Sequence, residues 1–543
     1  MQLAEFSQFS LANNQHFDWI PSTNYSHYAM ATANPKANPQ LLENDQQAPA
    51  TFVSDSIAIG LAFALVLTIS QRAIGFGRGL LFCRLMTDQQ LGQWSMAWSY
   101  LMLLVPFAVL GLPGCFGKFT EHYQQRGQLR TFLIRVAAIS CCTTLVISIL
   151  IFLFPRLTSQ LLFRDPSQIS LARYLGIAII AVSAFNFVGA LLESLRQVRV
   201  VTISRFVSGI SFAVIGALLL LLWENKASAA TFAFTIACLV GMLPAIWILW
   251  KNRAGFRSDG ESLKHSTMWK RIAPYAAWMW ATNLLSNLIE VSDRYMLLQW
   301  SSSSPEIAQA SVGQYHSGRV VPLVLVSIAA MLGGVLIPYL SQAWESNNKA
   351  KAQKQLNWSF KLISVSFTAA GIGILIAAPL LFDWVLQGRY NDGLAILPLT
   401  LVYCIWFGLM TVAQDYLWVA EKGKWATIVS GIGLLVNIVV NLILIPKIGL
   451  PGAVIGTACG NGVLVALMVL MNHRFGCRMN TGIWICSLLP LILLTKPLVA
   501  TGLLITIGIV CFFSNLILNN EEKQDLQKVY LLALDRLTKR DKA

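Results

Sequence analysis

Charge is what this sequence has least of. Asp, Glu, Lys and Arg make up 12% of its 543 residues, against 56% hydrophobic residues. A soluble domain carries roughly 25% charged residues. A chain this long with half the usual charge cannot clothe a water-facing surface, which excludes a soluble globular enzyme. Histidine is scarce: the six, at 16, 27, 122, 265, 316 and 473, lie too far apart for H-E-x-x-H. The ten cysteines form no C-x-x-C. Cys83, Cys115, Cys238, Cys404, Cys459 and Cys511 sit inside apolar runs, and Cys141-Cys142 is merely an adjacent pair. They read as small buried hydrophobes, not as a metal site or disulfide framework. No metal and no cofactor is expected. No G-x-x-x-x-G-K-[ST] occurs, so ATP hydrolysis by a P-loop is excluded, and there is no G-x-S-x-G nucleophile turn. No catalytic residue is assigned, and the chain does not read as an enzyme.

Long apolar runs are what the sequence has in place of charge; the mean hydropathy is +0.60. A hydrocarbon core about 30 Å thick takes roughly 20 apolar residues per helix. With that window, spans are predicted near 57–83, 93–113, 131–154, 171–194, 202–223, 230–250, 272–298, 312–340, 356–382, 394–418, 426–446, 451–472, 480–495 and 498–518. The expected fold class is an all-α polytopic membrane protein of about 14 transmembrane helices, although the last pair is separated only by Lys496-Pro497. Residues 1–50, rich in Asn, Gln, Ala and Pro with Lys36 as the one basic residue, are expected to be a disordered polar tail, not a secretory signal.

The net charge of +15 finds its explanation in the loops. One set of alternate loops holds only Arg84, Arg156, Arg164, Arg173, Lys226, Arg389, Lys447 and Lys496. The other set, with the C-terminal tail, holds 26 Lys and Arg. Basic loops face the cytoplasm, so both termini are expected there, in an inner (plasma) membrane, and nucleic acid is not needed as a partner. In the tail at 521–543, Leu526, Val529, Tyr530, Ala533 and Leu537 recur at helical spacing beside basic residues from Lys528 on. That pattern predicts an amphipathic helix on the cytoplasmic leaflet.

An internal repeat divides the chain. Leu91-Gly92-Gln93-Trp94 matches Val312-Gly313-Gln314-Tyr315, Ser208-Gly209-Ile210 matches Ser430-Gly431-Ile432, and Ala237-Cys238 matches Ala458-Cys459, at offsets of 221 or 222. The same register puts Glu193 on Asp415. The offset spans six helices, an even number, so both copies share one topology about an axis along the membrane normal. The expectation is two pseudo-symmetric six-helix bundles, 57–250 and 272–472, with two additional helices over 480–518. Such a pair of bundles can enclose a cavity that opens to either side.

Polar residues inside spans cost about 2.5–3.5 kcal/mol each when ionisable, and mark function. Asn283, Asn287, Glu290 and Arg294 step by four, three and four to make one polar stripe, in which Glu290 and Arg294 can pair. Gln71, Gly75 and Arg78 step likewise with Arg72 beside them, and Arg319 enters the eighth span. Arginine stays protonated and forks onto phosphate oxygens, so Arg72, Arg78, Arg294 and Arg319 are candidates to hold a diphosphate, with Asn283, Asn287 and Glu290 beside them. The membrane carboxylates Glu193, Glu290, Asp293 and Asp415 are candidates for ion coupling. Asn437 and Asn441 form a further i,i+4 polar pair. Prolines 106, 113, 274, 322, 338, 379 and 398 in or at the ends of spans give places to bend.

At these residues the chain resembles a known group of carriers. Ser70-Gln71-Arg72-Ala73-Ile74-Gly75-Phe76-Gly77-Arg78 resembles the first-helix pattern R-x-x-G-F-x-R of the lipid II flippases. Asp293-Arg294-Tyr295-Met296-Leu297-Leu298, followed by Val312-Gly313-Gln314-Tyr315 and Arg319, resembles the D-R-x-x-L … V-G-x-Y-x-x-A-x-R run of polysaccharide-export flippases. Ile445-Pro446-Lys447-Ile448-Gly449-Leu450-Pro451-Gly452-Ala453 resembles the I-P-x-x-G-x-x-G-A turn of their superfamily, which also includes multidrug and toxin extrusion carriers. The likeness runs over 57–475. Gly79, where lipid II flippases usually carry Asp, and His316-Ser317-Gly318 before Arg319 favour the broader polysaccharide-flippase branch. The resemblance implies a flippase that moves a lipid-linked oligosaccharide, a polyprenyl diphosphate sugar, to the outer leaflet by alternating access for cell-envelope polysaccharide biosynthesis. Arg72 and Arg78 would match cavity arginines. The implied partners are that substrate, membrane lipids and polysaccharide polymerase machinery. The alternatives are a cation-coupled multidrug exporter and a lipid II flippase.

Overall fold

A computed structural model describes residues 57–223, 226–256, 262–514 and 522–524. The tail at 1–50 and the apolar face from Leu526 to Leu537 lie outside the described residues. The described chain is helical, with no strand in it. In lipid a backbone polar group has no water to turn to, so a span must satisfy its hydrogen bonds within itself. That is why the apolar runs become helices whatever their β-branched content.

The first half consists of α1 (Ile57–Leu85), α2 (Asp88–Val109), α3 (Phe116–Gln125), α4 (Leu129–Leu153), α5 (Pro155–Phe163), α6 (Ile169–Ser194), α7 (Val198–Leu222) and α8 (Lys226–Lys251). The second consists of α9 (His265–Trp300), α10 (Pro305–Val320), α11 (Pro322–Glu345), α12 (Lys349–Leu380), α13 (Asn391–Ala395), α14 (Leu397–Val419), α15 (Gly423–Ile448) and α16 (Leu450–Arg474). α17 (Thr481–Leu488) and α18 (Pro497–Phe513) follow and pack on α12. Among the described residues nine helices are each long and apolar enough to cross a membrane, and the bent pair α2–α3 makes a tenth. The chain is a multi-pass membrane protein.

The two halves pack alike. α7 pairs with α8 as α15 pairs with α16; α6 with α8 as α14 with α16; α4 with α6 as α12 with α14; α1 with α7 as α9 with α15. The repeat is therefore a repeat of helix pairing, and two pseudo-symmetric bundles result.

Several spans depart from the sequence reading. The one expected at 93–113 starts at Asp88, where Thr87 and Gln90 close a capping box, and turns by 61° into α3. The turn needs Gly111, at φ 67. A Cβ there would lie 2.6 Å from the Ala276 carbonyl oxygen and 2.7 Å from the Trp280 nitrogen on α9, so only glycine lets the two bundles meet at this point. The span at 312–340 is two helices parted before Pro322, which cannot donate into α10. The span at 480–495 is α17 plus a 3₁₀ turn over Leu489–Leu494. The short helices α5 and α13 were not foreseen.

The bundles meet along α2 against α9 and α10. At the basic-poor end of the molecule the repeated Gly-Gln pairs interlock. A Cβ on Gly92 would collide with the Gln309 carbonyl, and a Cβ on Gly313 with the Asp88 carbonyl. Gln93 Nε2 donates to Gln309 Oε1 at 2.9 Å, and Gln314 Nε2 to Asp88 Oδ2 at 3.4 Å. Gly92 and Gly313, Asp88 and Gln309, and Gln93 and Gln314 are each 221 residues apart. The seam is thus one contact made twice around the pseudo-two-fold axis. Around it Arg164 donates to the carbonyls of Leu298, Ser301 and Ser303, and Tyr390 Oη to that of Met86 at 3.0 Å. These bonds hold the two bundles together on the basic-poor side.

Candidate functional site

Behind the seam, charged side chains from both bundles converge on His316. Arg78, Arg294 and Arg319 all lie within electrostatic reach of its ring. Arg78 comes from α1, where Gly75 one turn earlier leaves open the space that its guanidinium overhangs; Nη2 is 4.0 Å from where a Cβ on Gly75 would stand. The same guanidinium lies 4.3 Å over the Phe212 ring of α7, an arrangement that holds a cation without neutralising it. Arg72 is half-buried six residues earlier on α1, about 9 Å along the helix axis.

Arg294 on α9 is 3% exposed. Its Nη1 donates to Ser99 Oγ of α2 at 2.7 Å, its Nη2 stands 3.9 Å from Glu290, and its Nε has no partner. The i,i+4 pairing read from the sequence is thus a loose one. Asn287 turns its amide back to the Asn283 carbonyl of its own helix at 2.9 Å, and Asn283 is half-buried above it.

Arg319 ends α10 and is 6% exposed. Its guanidinium lies 5.1 Å from the Tyr315 ring and 6.0 Å from that of Tyr403, and its Nε and Nη1 are buried without partners. A buried, incompletely satisfied guanidinium is expensive, and Arg319 keeps hydrogen-bond donors to spare. His316 was not singled out as a site residue, nor were Tyr315, Tyr403, Ser95 and Ser99. Its place before Arg319, in the step where a small residue was expected, was the one signal in the sequence.

The four carboxylates part company. Glu290 faces Arg294 and Arg319. Glu193, near the end of α6, pairs with Arg205 of α7 at 2.5 Å, both side chains about a quarter exposed at 23% and 25%. Its repeat mate Asp415 on α14 is 3% exposed, and its Oδ2 has no hydrogen-bond partner; the residue in register with Arg205 is Thr427. The second copy kept the carboxylate without the cation, and the Asp415 carboxylate abuts Gly333 of α11, Oδ2 3.0 Å from where its Cβ would stand. Asp293, by contrast, is saturated. Asn437 and Asn441 donate to Oδ1 at 2.7 and 2.9 Å, and Thr457 and Tyr315 to Oδ2 at 2.7 and 2.9 Å. This knot ties α9, α10, α15 and α16 together inside the second bundle.

The geometry agrees with the comparisons. The family model for a polysaccharide biosynthesis protein matches residues 57–344, more than half of the chain. An uncharacterized membrane protein, YabM, of Bacillus subtilis (strain 168) is 24% identical over 392 residues, 69% of this chain and 72% of its own. The lipid II flippase MurJ of the same organism is 22% identical over 407 residues, 68% of this chain and 74% of its own. Among solved structures, a lipid II flippase MurJ in an inward closed conformation superposes with a TM-score of 0.63 at 16% identity, covering 84% of this chain and 99% of that one. An inward-facing multidrug transporter of the MATE family superposes at 0.61 and 14% identity, covering 75% and 94%. Both structural likenesses speak to the fold alone. By fold and family match together, this chain is a multi-pass membrane protein that belongs to the polysaccharide biosynthesis protein family.

Proposed function

We propose that this chain carries a lipid-linked oligosaccharide diphosphate from the cytoplasmic to the outer leaflet of the plasma membrane, by rocking of its two bundles. The observation behind this reading is the convergence of Arg78, Arg294 and Arg319 between the bundles, with buried N–H groups of Arg319 and Arg294 left without partners. A diphosphate offers the oxygens that these forks need. Asn287 and Asn283 lie about two and three turns from Arg294 on the same helix, and amides of that kind suit sugar hydroxyls. The lipid tail stays in the bilayer. The basic-rich end is the cytoplasmic one on the loop charges, so the seam closes the outer side and the head group enters from within. A polymerase acting on the delivered sugar is the fitting partner outside.

The test is the lipid-linked sugar pool of cells lacking the protein. A polyprenyl diphosphate oligosaccharide should accumulate on the cytoplasmic face, and Arg78→Ala or Arg294→Ala, though inserted normally, should fail to clear it. Normal export by both variants would sink the diphosphate clamp. A second reading rests on Asp415, a buried carboxylate without a cation: a cation-coupled exporter of drugs. Sensitivity to cationic drugs with an unchanged sugar pool would favour it.

A further inference from the structure

The arginine that faces the substrate is also a fastener between the bundles. Ser95 and Ser99 lie one turn apart on α2, both at 0% exposure, and each receives one group from the second bundle. Ser99 Oγ accepts from Arg294 Nη1 at 2.7 Å, and Ser95 Oγ meets His316 Nδ1 at 3.2 Å. The Ser99 hydroxyl has no freedom left, because it gives its own hydrogen to the Ser95 carbonyl at 2.8 Å. Its lone pair is therefore presented to α9 in a fixed direction. Arg294 is held from the other bundle by this bond; Glu290, at 3.9 Å, is on its own helix.

We infer that Ser99 and the substrate's phosphate compete for Arg294, so that capture of the head group unfastens the two bundles at mid-membrane. This rests on the diphosphate reading above and gives it a trigger. A neutral hydroxyl is a weaker acceptor for a guanidinium than a phosphate oxygen, and the phosphate can take two N–H groups at once. A diphosphate that takes the free Nε–H together with an Nη2–H of Arg294 as a bidentate pair turns the guanidinium toward itself and away from Ser99. The empty carrier stays fastened; the loaded one is free to rock. Ser99 acts as a positioning residue, and the weaker Ser95–His316 contact keeps register but does not sense charge.

The test uses the full chain in lipid nanodiscs, its native cysteines replaced, with spin labels at Ser167→Cys and Asp392→Cys on the outer faces of the two bundles, and inorganic pyrophosphate as the probe. The fastened protein should give one distance distribution, and pyrophosphate a second population. Ser99→Ala should show that second population without any probe and bind pyrophosphate about tenfold more tightly, the worth of one hydrogen bond to a charged group. Ser99→Thr, which keeps the hydroxyl, should restore the original behaviour. Pyrophosphate binding by the unsubstituted protein together with an unchanged Ser99→Ala distribution and affinity overturns the fastener alone. If pyrophosphate does not bind while Arg294 is intact, the clamp and the trigger both fall.

Discussion

The knot around Asp293 sets up a graded test. Four donors from three partner helices end on one carboxylate. Asp293→Asn keeps the shape. Its oxygen can still accept from Asn437 and Asn441, and its amide can donate to Tyr315 and Thr457 if those hydroxyls turn. What goes is charge assistance, worth about 1 kcal/mol per bond as the difference between charged and neutral acceptors. Four bonds give about 4 kcal/mol, reduced to about 2–4 kcal/mol because a buried charge is removed as well. Asp293→Leu takes the acceptor from all four. Thr457 can still turn to the Ala453 carbonyl and Asn441 to Asn437 Oδ1. Asn437 and Tyr315 are left buried and poorly paired, at about 1–3 kcal/mol each. The branched apolar side chain adds about 1–3 kcal/mol of misfit, or about 3–9 kcal/mol in all. At about 2–4 °C per kcal/mol for a unit of about 200 residues, Asn should lower the melting temperature by at least about 4 °C and Leu by distinctly more. The 17 tryptophans report unfolding in detergent by fluorescence. Equal melting of Asp293→Leu and the unsubstituted protein would refute the reasoning, and so would Asn falling further than Leu.

Four other outcomes follow from the packing. Lys361 Nζ of α12 sits between Glu522 Oε1 and Oε2, at 2.9 and 2.8 Å, with both side chains buried. Glu522→Leu alone should destabilise by about 3–5 kcal/mol, and adding Lys361→Met should recover most of it; thermal unfolding of the two variants checks the cycle. Breaking the part-exposed Glu193–Arg205 pair by Glu193→Gln should cost less than about 1 kcal/mol, a shift of a few degrees at most in the same melt. Gly92→Ala and Gly313→Ala should each lower stability by about 1–3 kcal/mol, yet the double variant should be little worse than either, since both part the same two helices. Asp165 lies in the turn between α5 and α6. Burial works against its carboxylate, but hydrogen bonds from Ser167 and Gln168 outweigh that and hold it below the ordinary 3.8. Its contribution is thus full above that value and fades as pH falls through the lower folded one, so Asp165→Asn should lower the melting temperature more at pH 7 than at pH 3.

How much of this was legible in the sequence depends on distance along the chain. The helices were, because lipid leaves an apolar run no other structure, and the repeat was, because its motifs stand at a nearly constant offset. Glu290 and Arg294 were legible as neighbours because one helical turn joins them. The breaks in the second and eighth spans were legible only as prolines, Pro113 and Pro322, two of seven in or at the ends of spans and not told apart from the rest. Gly111 is demanded by the backbone of α9, some 165 residues on, and nothing local to 93–113 says so. The knot needed three partner helices to close on Asp293; the pair Asn437 and Asn441 was visible as polar, but not its target. Glu193 read as a free membrane carboxylate because Arg205 lies across a turn on the next helix. His316 gave only a weak signal because its meaning comes from arginines on α1, α9 and its own helix together.

The doubled seam constrains how the molecule can open. Its two halves are copies related by the pseudo-two-fold axis, each resting on the other's glycine. A tilt of one bundle against the other lifts both teeth together, and neither can disengage while its mate stays seated. Opening on that side should therefore be cooperative, with no half-released intermediate to leak ions or water. Two bundles built on one repeated plan gain from their symmetry a latch that is either wholly shut or wholly open.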